Sequence, residues 1–92
     1  MAELIHECVD RYRDAGEALW VIRVYGEERA DGTWAGWLEF LPAFGGGPPR
    51  QTGQETSQPS RGALAYWATG LEPVYFEGAF ERAGGPAARD GL

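Results

Sequence analysis

The stretch 18-ALWVIRVYGEERADGTWAGWLEFLP-42 decides the fold, because it holds two apolar-rich runs on either side of a turn signal. β-branched and aromatic residues dominate both runs, which is typical of β-strands, and Asp31-Gly32 between them is typical of a hairpin turn. The sequence therefore predicts an antiparallel hairpin formed by residues 18–28 and 33–42.

The register of this hairpin depends on the length of its loop. A two-residue Asp31-Gly32 loop would pair Val24 with Glu39 and mix polar and apolar side chains on each face. A three-residue loop that begins at Ala30, with Gly32 in the left-handed conformation, shifts the register by one residue. It gives one apolar face and matched pairs on the other, so it is the register that we predict. The predicted pairs are Val24 with Leu38, Ile22 with Phe40, Gly26 with Gly36, Glu28 with Trp34, Tyr25 with Trp37 and Arg23 with Glu39.

The segment before the hairpin is predicted to be a helix over residues 2–15. Its apolar side chains recur at helical spacing, and Gly16 follows where a glycine commonly ends a helix. The apolar positions are Leu4, Ile5, Cys8, Val9 and Tyr12.

The segment after the hairpin is predicted to be a loop at 43–49, from its Gly and Pro content, and then a short polar edge strand at 50–57. The residues 72–82 alternate in a pattern typical of a strand, with Val74, Phe76, Gly78 and Phe80 on one face. The small residues of 83–92 predict a disordered tail.

A second helix is predicted between these two strands, over residues 57–70. Ser57 is a candidate N-cap, with Pro59 in the first turn, and Gly70 is a candidate stop with Leu71 folding back. Its buried stripe is predicted to be Leu64, Trp67, Ala68 and Leu71, with Tyr66 on the flank.

These elements predict one small α+β domain over residues 1–82, in the order α-β-β-β-α-β. The sheet is expected to be antiparallel, with the helices packed on the face that carries Ile22, Val24, Leu38 and Phe40.

The composition excludes several classes of function. The net charge is −6, with no basic cluster, so nucleic acid and anionic membrane surfaces are poor partners. No apolar run could span a membrane, and the acidic start does not resemble a signal peptide, so we expect a soluble, cytoplasmic, bacterial-type protein. One Cys and one His give no metal pattern, and no cofactor is expected.

Two segments carry a family resemblance. They are "GTWAGWLEFLP" (32–42), similar to a second strand that ends in Pro, and "QTGQETSQPSRGALAYWA" (51–68), similar to a short strand and helix start. Over residues 18–82 the chain resembles the HicB-like antitoxin domain, a β-β-β-α-β unit related to a partial ribonuclease-H-like fold. That family's Pro-Gly pair after the second strand is absent, and residues 58–60 replace its acidic helix start. The resemblance implies a topology and, if function follows, a domain that covers a toxin's active site.

The second sheet face suggests the function. Helices on the Ile22 face would leave an aromatic face uncovered, and Tyr, Trp and Arg dominate interface hot spots. We therefore expect a non-catalytic interaction module that forms either a homodimer or a complex with another protein. The predicted interaction face is Tyr25, Trp37, Tyr75, Arg23 and Glu39, beside Val21 and Leu41. Alternatives are that the N-terminal helix covers this face, or that a small ligand stacks on it.

A ligand-binding domain is the second hypothesis, and an enzyme is the third. Thr52, Gln54, Thr56 and Ser57 form a polar edge that could hold a small ligand or peptide. His6 and Cys8 lie two residues apart with no third group to orient them, so they form no nucleophilic constellation. Glu77 and Glu81, about 13 Å apart on a strand, are too far apart for a shared acid-base site.

Overall fold

The computed structural model describes residues 1–84. This part of the chain forms a six-stranded antiparallel sheet followed by two helices. The strands are β1 (Glu3–Glu7), β2 (Tyr12–Arg13), β3 (Leu19–Glu28), β4 (Trp34–Pro42), β5 (Arg50–Gln51) and β6 (Thr56–Gln58), and the helices are α1 (Arg61–Thr69) and α2 (Pro73–Ala83).

The central hairpin of β3 and β4 has the predicted register. All six predicted pairs occur, including Val24 with Leu38 and Tyr25 with Trp37. The loop has three residues, because Arg29 N–H donates to the Thr33 carbonyl, and Gly32 adopts a φ of 90°. The loop prediction for residues 43–49 is also confirmed.

The predicted N-terminal helix is wrong, because residues 3–7 and 12–13 are strands. β1 and β2 both pair with β3, and a bulge between Leu4 and His6 shifts the β1 register. Because of the bulge, the consecutive residues Ile5 and His6 are both half-buried, a pattern that resembles helical spacing in the sequence. Val9, predicted to be on the buried stripe, is exposed. Pairing with the edge of β3 overrides the local pattern.

The predicted C-terminal strand is also wrong, because residues 73–83 form α2. Pro73 occupies the first turn, where its fixed φ suits a helix and its missing N–H removes no bond. Val74, predicted to be core, is exposed, and Gly78 is half-buried. The buried side chains follow the helical spacing i, i+3, i+4 and i+7 and are Phe76, Ala79, Phe80 and Ala83.

Two smaller boundaries differ from the prediction. The edge segment 50–57 divides into β5 and β6, which both pair with β4. The N-cap of α1 is Ser60, whose Oγ accepts from Ala63 N–H at 3.0 Å, so Ser57 is not the cap. Gly70 ends α1 as predicted, but its φ of −96° excludes the left-handed stop.

The two helices share the sheet face that was expected to carry helices, but only α1 corresponds to one of the two predicted helices. Ile22, Val24, Leu38 and Phe40 are fully buried there, against Ala68 of α1 and the buried side chains of α2. Leu64 of α1 lies over the Gly26–Gly36 pair, where two glycines let the helix approach closely. The fold is therefore α+β with two layers, and the order α-β-β-β-α-β is replaced by six strands and two helices.

The disordered tail was predicted to begin at residue 83, which is too early in the chain. Ala83 is fully buried in α2, and Gly84 caps that helix. The remaining tail residues, 85–92, lie outside the described residues.

Candidate functional site

The sheet has one face that carries neither α1 nor α2, and we call it the open face. Four cross-strand pairs of the central hairpin lie on this face, namely Glu27 with Ala35 near the turn and three further rows of larger side chains. These three rows are Val21 with Leu41, Arg23 with Glu39, and Tyr25 with Trp37. All six side chains are half-buried. Four of the five residues predicted to interact therefore lie together on this face.

Strand β1 extends the open face on the side of β3. Leu4 lies beside Tyr25 in the register and is 45% exposed. Glu7 lies beside Arg23 and accepts from its Nε at 2.9 Å. The face thus has apolar rows separated by a charged row that carries both signs.

The indole of Trp37 is incompletely satisfied. Its Nε1 is buried and has no hydrogen-bond acceptor among residues 1–84. Buried indole N–H groups normally have an acceptor, and an unpaired donor costs about 1–3 kcal/mol. Trp37 therefore carries an unsatisfied, buried donor beneath the open face.

Tyr75, the fifth predicted residue, lies elsewhere, because its segment is a helix on the opposite side of the sheet. Its hydroxyl donates to the Glu55 carboxylate, and its ring packs edge-on against Trp67. Arg82 donates to both oxygens of Glu55, at 2.8 and 3.0 Å. Tyr75 therefore belongs to a polar cluster that ties α2 to the segment between β5 and β6.

The electrostatics of this cluster follow from its contacts. Burial raises the pKa of Glu55, but the hydrogen bonds from Arg82 and Tyr75 outweigh burial and leave that pKa below its usual 4.5. Burial and the bond to Glu55 raise the pKa of Tyr75 to about 12. Both groups are held in their neutral-pH protonation states, which suits a structural tie rather than proton transfer.

The polar edge predicted to hold a ligand does not converge on one point. Thr52 is buried, and its hydroxyl accepts from Leu38 N–H and donates to the Gly53 carbonyl. Gln54 is exposed and accepts from Arg29, and Thr56 packs under α1 beside Gly36. Ser57 is exposed on the opposite side of β6.

His6 and Cys8 line a shallow cleft of about 240 Å³ beside the end of α1. Burial, with smaller contributions from Asp10 and Glu7, raises the pKa of the Cys8 thiol to about 11, which keeps it protonated and unreactive. Among residues 1–84, no group of three His, Cys, Asp or Glu side chains could hold a metal ion. No helix in the same part of the chain is long and apolar enough to cross a membrane.

A groove at one end of the sheet was not predicted from the sequence. It has a volume of about 660 Å³ and lies where β3 begins and β4 ends, under the loop 43–49. Trp20, Phe44 and Arg50 are among its lining residues. The exposed Phe44 within a glycine-rich loop was a signal in the sequence, but its partners become adjacent only through the pairing of β4 with β5.

Comparison with known proteins returns no match to this chain among family models, curated proteins or solved structures. The HicB-like resemblance and the function therefore stay predictions.

Proposed function

We propose that the protein is a small interaction module that forms a homodimer through the open face and has no catalytic activity. The observation that carries the proposal is that both helices pack on the same side of the sheet. Within residues 1–84, no helix lies over the aromatic row, Tyr25 with Trp37, or over the aliphatic row, Val21 with Leu41. Sheets with apolar side chains on both faces normally have both faces packed.

The charges of the open face favour a second copy as the partner. In a two-fold dimer, each residue meets a different residue of the other copy unless it lies on the axis. An axis that runs along the hairpin, between β3 and β4, places Arg23 opposite Glu39 of the second copy. The same axis places Tyr25 opposite Trp37 and Val21 opposite Leu41. Each of these three rows then meets its own complement.

The size of the face predicts a weak dimer. Strand geometry gives the open face a length of about 30 Å and a width of about 15–19 Å across the sheet. That is on the order of 500 Å² for each copy, against about 800 Å² in a standard interface. We therefore expect a dissociation constant of about 1–100 μM.

Sedimentation velocity over a dilution series tests this proposal. The wild type should sediment as a dimer at about 300 μM and dissociate on dilution. Trp37→Ala removes the largest side chain of the aromatic row and should weaken association by at least about tenfold. Tyr66→Ala is the matched control, because it also removes a large aromatic side chain. Tyr66 is 82% exposed and lies on α1, away from the open face.

Two results would contradict the homodimer. One is a wild type that remains monomeric at the highest concentration, which would favour a different protein partner for the open face. The other is a dimer that Trp37→Ala leaves unchanged, which would move the interface away from this face.

A further inference from the structure

The groove at the end of the sheet has the dimensions and lining of a small-molecule site. Its volume of about 660 Å³ lies within the roughly 300–1,000 Å³ of ligand pockets. Its walls are mainly apolar, and their larger side chains are Leu19, Trp20, Pro42, Phe44 and Pro48. Phe44 is 79% exposed, so a large aromatic ring stands at the opening with little of its surface covered.

Arg50 supplies the one basic side chain in the lining that the structure describes. Its guanidinium stacks over the Phe80 ring, 4.4 Å from the centroid, and near the Trp20 ring at 5.5 Å. No carboxylate of residues 1–84 lies within ion-pair distance of it, although the chain is strongly acidic. Stacking therefore fixes a positive charge at the groove without neutralising it.

Asp14, the acid whose pKa the charge of Arg50 helps to lower, already accepts hydrogen bonds from other groups. Asp14 accepts from the Trp20 indole N–H at 3.1 Å and from the N–H groups of Gly16 and Ala18 at 2.9 Å. The Trp20 bond, together with the backbone bonds and the charge of Arg50, lowers the pKa of Asp14. Asp14 thus orients the Trp20 wall of the groove and leaves the guanidinium of Arg50 available to another anion.

We propose that this groove binds an amphipathic monocarboxylate, with its apolar body against Trp20 and Phe44 and its carboxylate on Arg50. A carboxylate suits the guanidinium because the two can form paired, charge-assisted hydrogen bonds. A single negative charge fits better than a phosphate, because Glu17 and the C-terminal end of α2 at Gly84 also border the groove. This site goes beyond the proposed dimer and does not depend on the aromatic row.

Titration of ¹⁵N-labelled protein with octanoate and with octan-1-ol, followed by NMR, tests the site. The two probes share an apolar body and differ in charge. Octanoate should give saturable shifts at Leu19, Arg50 and the Trp20 indole N–H. It should bind about tenfold tighter than octan-1-ol, or more. Absence of saturable shifts up to about 1 mM, or equal affinity for the two probes, would overturn the proposal.

Variants assign the effect to the groove. Arg50→Gln should weaken octanoate binding by about tenfold and leave octan-1-ol binding unchanged. Arg29→Gln, which removes the same charge at the opposite end of the β3–β4 hairpin, should change neither. Octanoate binding that Arg50→Gln leaves at the wild-type level would refute the role of the guanidinium.

A second variant keeps the test decisive if Arg50→Gln does not fold. Phe44→Ala alters an exposed side chain, so the fold should persist, and both probes should bind about threefold more weakly or worse. Unchanged affinity for both would exclude this groove. Truncation after Gly84 should leave octanoate affinity unchanged. A tenfold gain in affinity would show that residues 85–92 compete for the groove. That result would overturn the assignment of the groove to a separate monocarboxylate ligand.

Discussion

Two hairpin turns share one backbone geometry but differ in the residue that adopts the left-handed conformation. In the β3–β4 turn, Arg29 N–H bonds the Thr33 carbonyl and Gly32 N–H bonds the Arg29 carbonyl. In the β2–β3 turn, Asp14 N–H bonds the Ala18 carbonyl and Glu17 N–H bonds the Asp14 carbonyl. Glu17, with a φ of 73°, therefore occupies the position that Gly32 occupies in the other turn.

Replacement of Glu17 by glycine should stabilise the protein. A side chain in the left-handed region costs roughly 1–2 kcal/mol, which glycine avoids. We expect Glu17→Gly to raise the unfolding free energy by about 1 kcal/mol and the melting temperature by about 4–8 °C, measured by calorimetry. Glu17→Ala is the control, because it also loses the exposed ion pair to Arg13 but keeps the strain. An unchanged or lower melting temperature for Glu17→Gly would be evidence against this turn geometry.

The Glu55 cluster predicts a specific loss of stability in acid. The pKa of Glu55 is lower in the folded chain than its usual 4.5, so its contribution is present above that value. The contribution is lost as the pH falls through the folded-state pKa, because the folded carboxylate must then take up a proton. Glu55→Gln should therefore be less stable than wild type at about pH 7, and the difference should shrink toward about pH 3. Urea unfolding across this range measures it, and a difference that stays constant would contradict the account.

At the scale of elements, hairpin β3–β4 could be predicted from sequence because its register has a local cause. The three-residue loop and the two glycines at one cross-strand pair leave a single register with one apolar face. The termini could not be predicted in the same way. β1 forms only because β3 offers an unpaired edge, and the alternation in 73–83 conceals a helical spacing that becomes evident through its core contacts.

The docking of α1 depends on the glycine pair beneath it. A Cβ at Gly36 would lie 2.6 Å from the Leu64 Cδ1 and 3.1 Å from the Thr56 Cγ2. Leu64 is fully buried and has little room to move, so Gly36→Ala should destabilise the fold by about 1–3 kcal/mol in urea unfolding. Gly53→Ala, where a Cβ would meet nothing within 4 Å, is the control and should cost less than about 0.5 kcal/mol. Equal effects of the two substitutions would show that α1 is not seated on this pair.

At the scale of the whole molecule, α1 and α2 form one layer on the sheet, and in the described part of the chain the other face carries no helix. Four residues could be placed on the open face from the sequence, because they belong to the hairpin whose register was predictable. Tyr75 was misplaced because its position depended on the secondary structure of the last segment. The groove at Arg50 was missed because it joins three segments that only the completed sheet brings together.

The exchange of charges across the open face tests the central proposal most directly. Arg23→Glu gives a chain with acidic side chains at both positions of the charged row, and Glu39→Arg gives a chain with basic ones. In the proposed dimer each variant opposes like charges, so each alone should be monomeric at a concentration where the wild type is a dimer.

An equimolar mixture of the two variants should form a heterodimer in sedimentation velocity, since the acidic side chains at positions 23 and 39 of one chain then meet the basic ones of the other. The cross-strand neighbours within each chain remain mismatched in the mixture, so a purely intramolecular effect cannot restore association. A mixture that sediments as the sum of its two separate components would contradict the account.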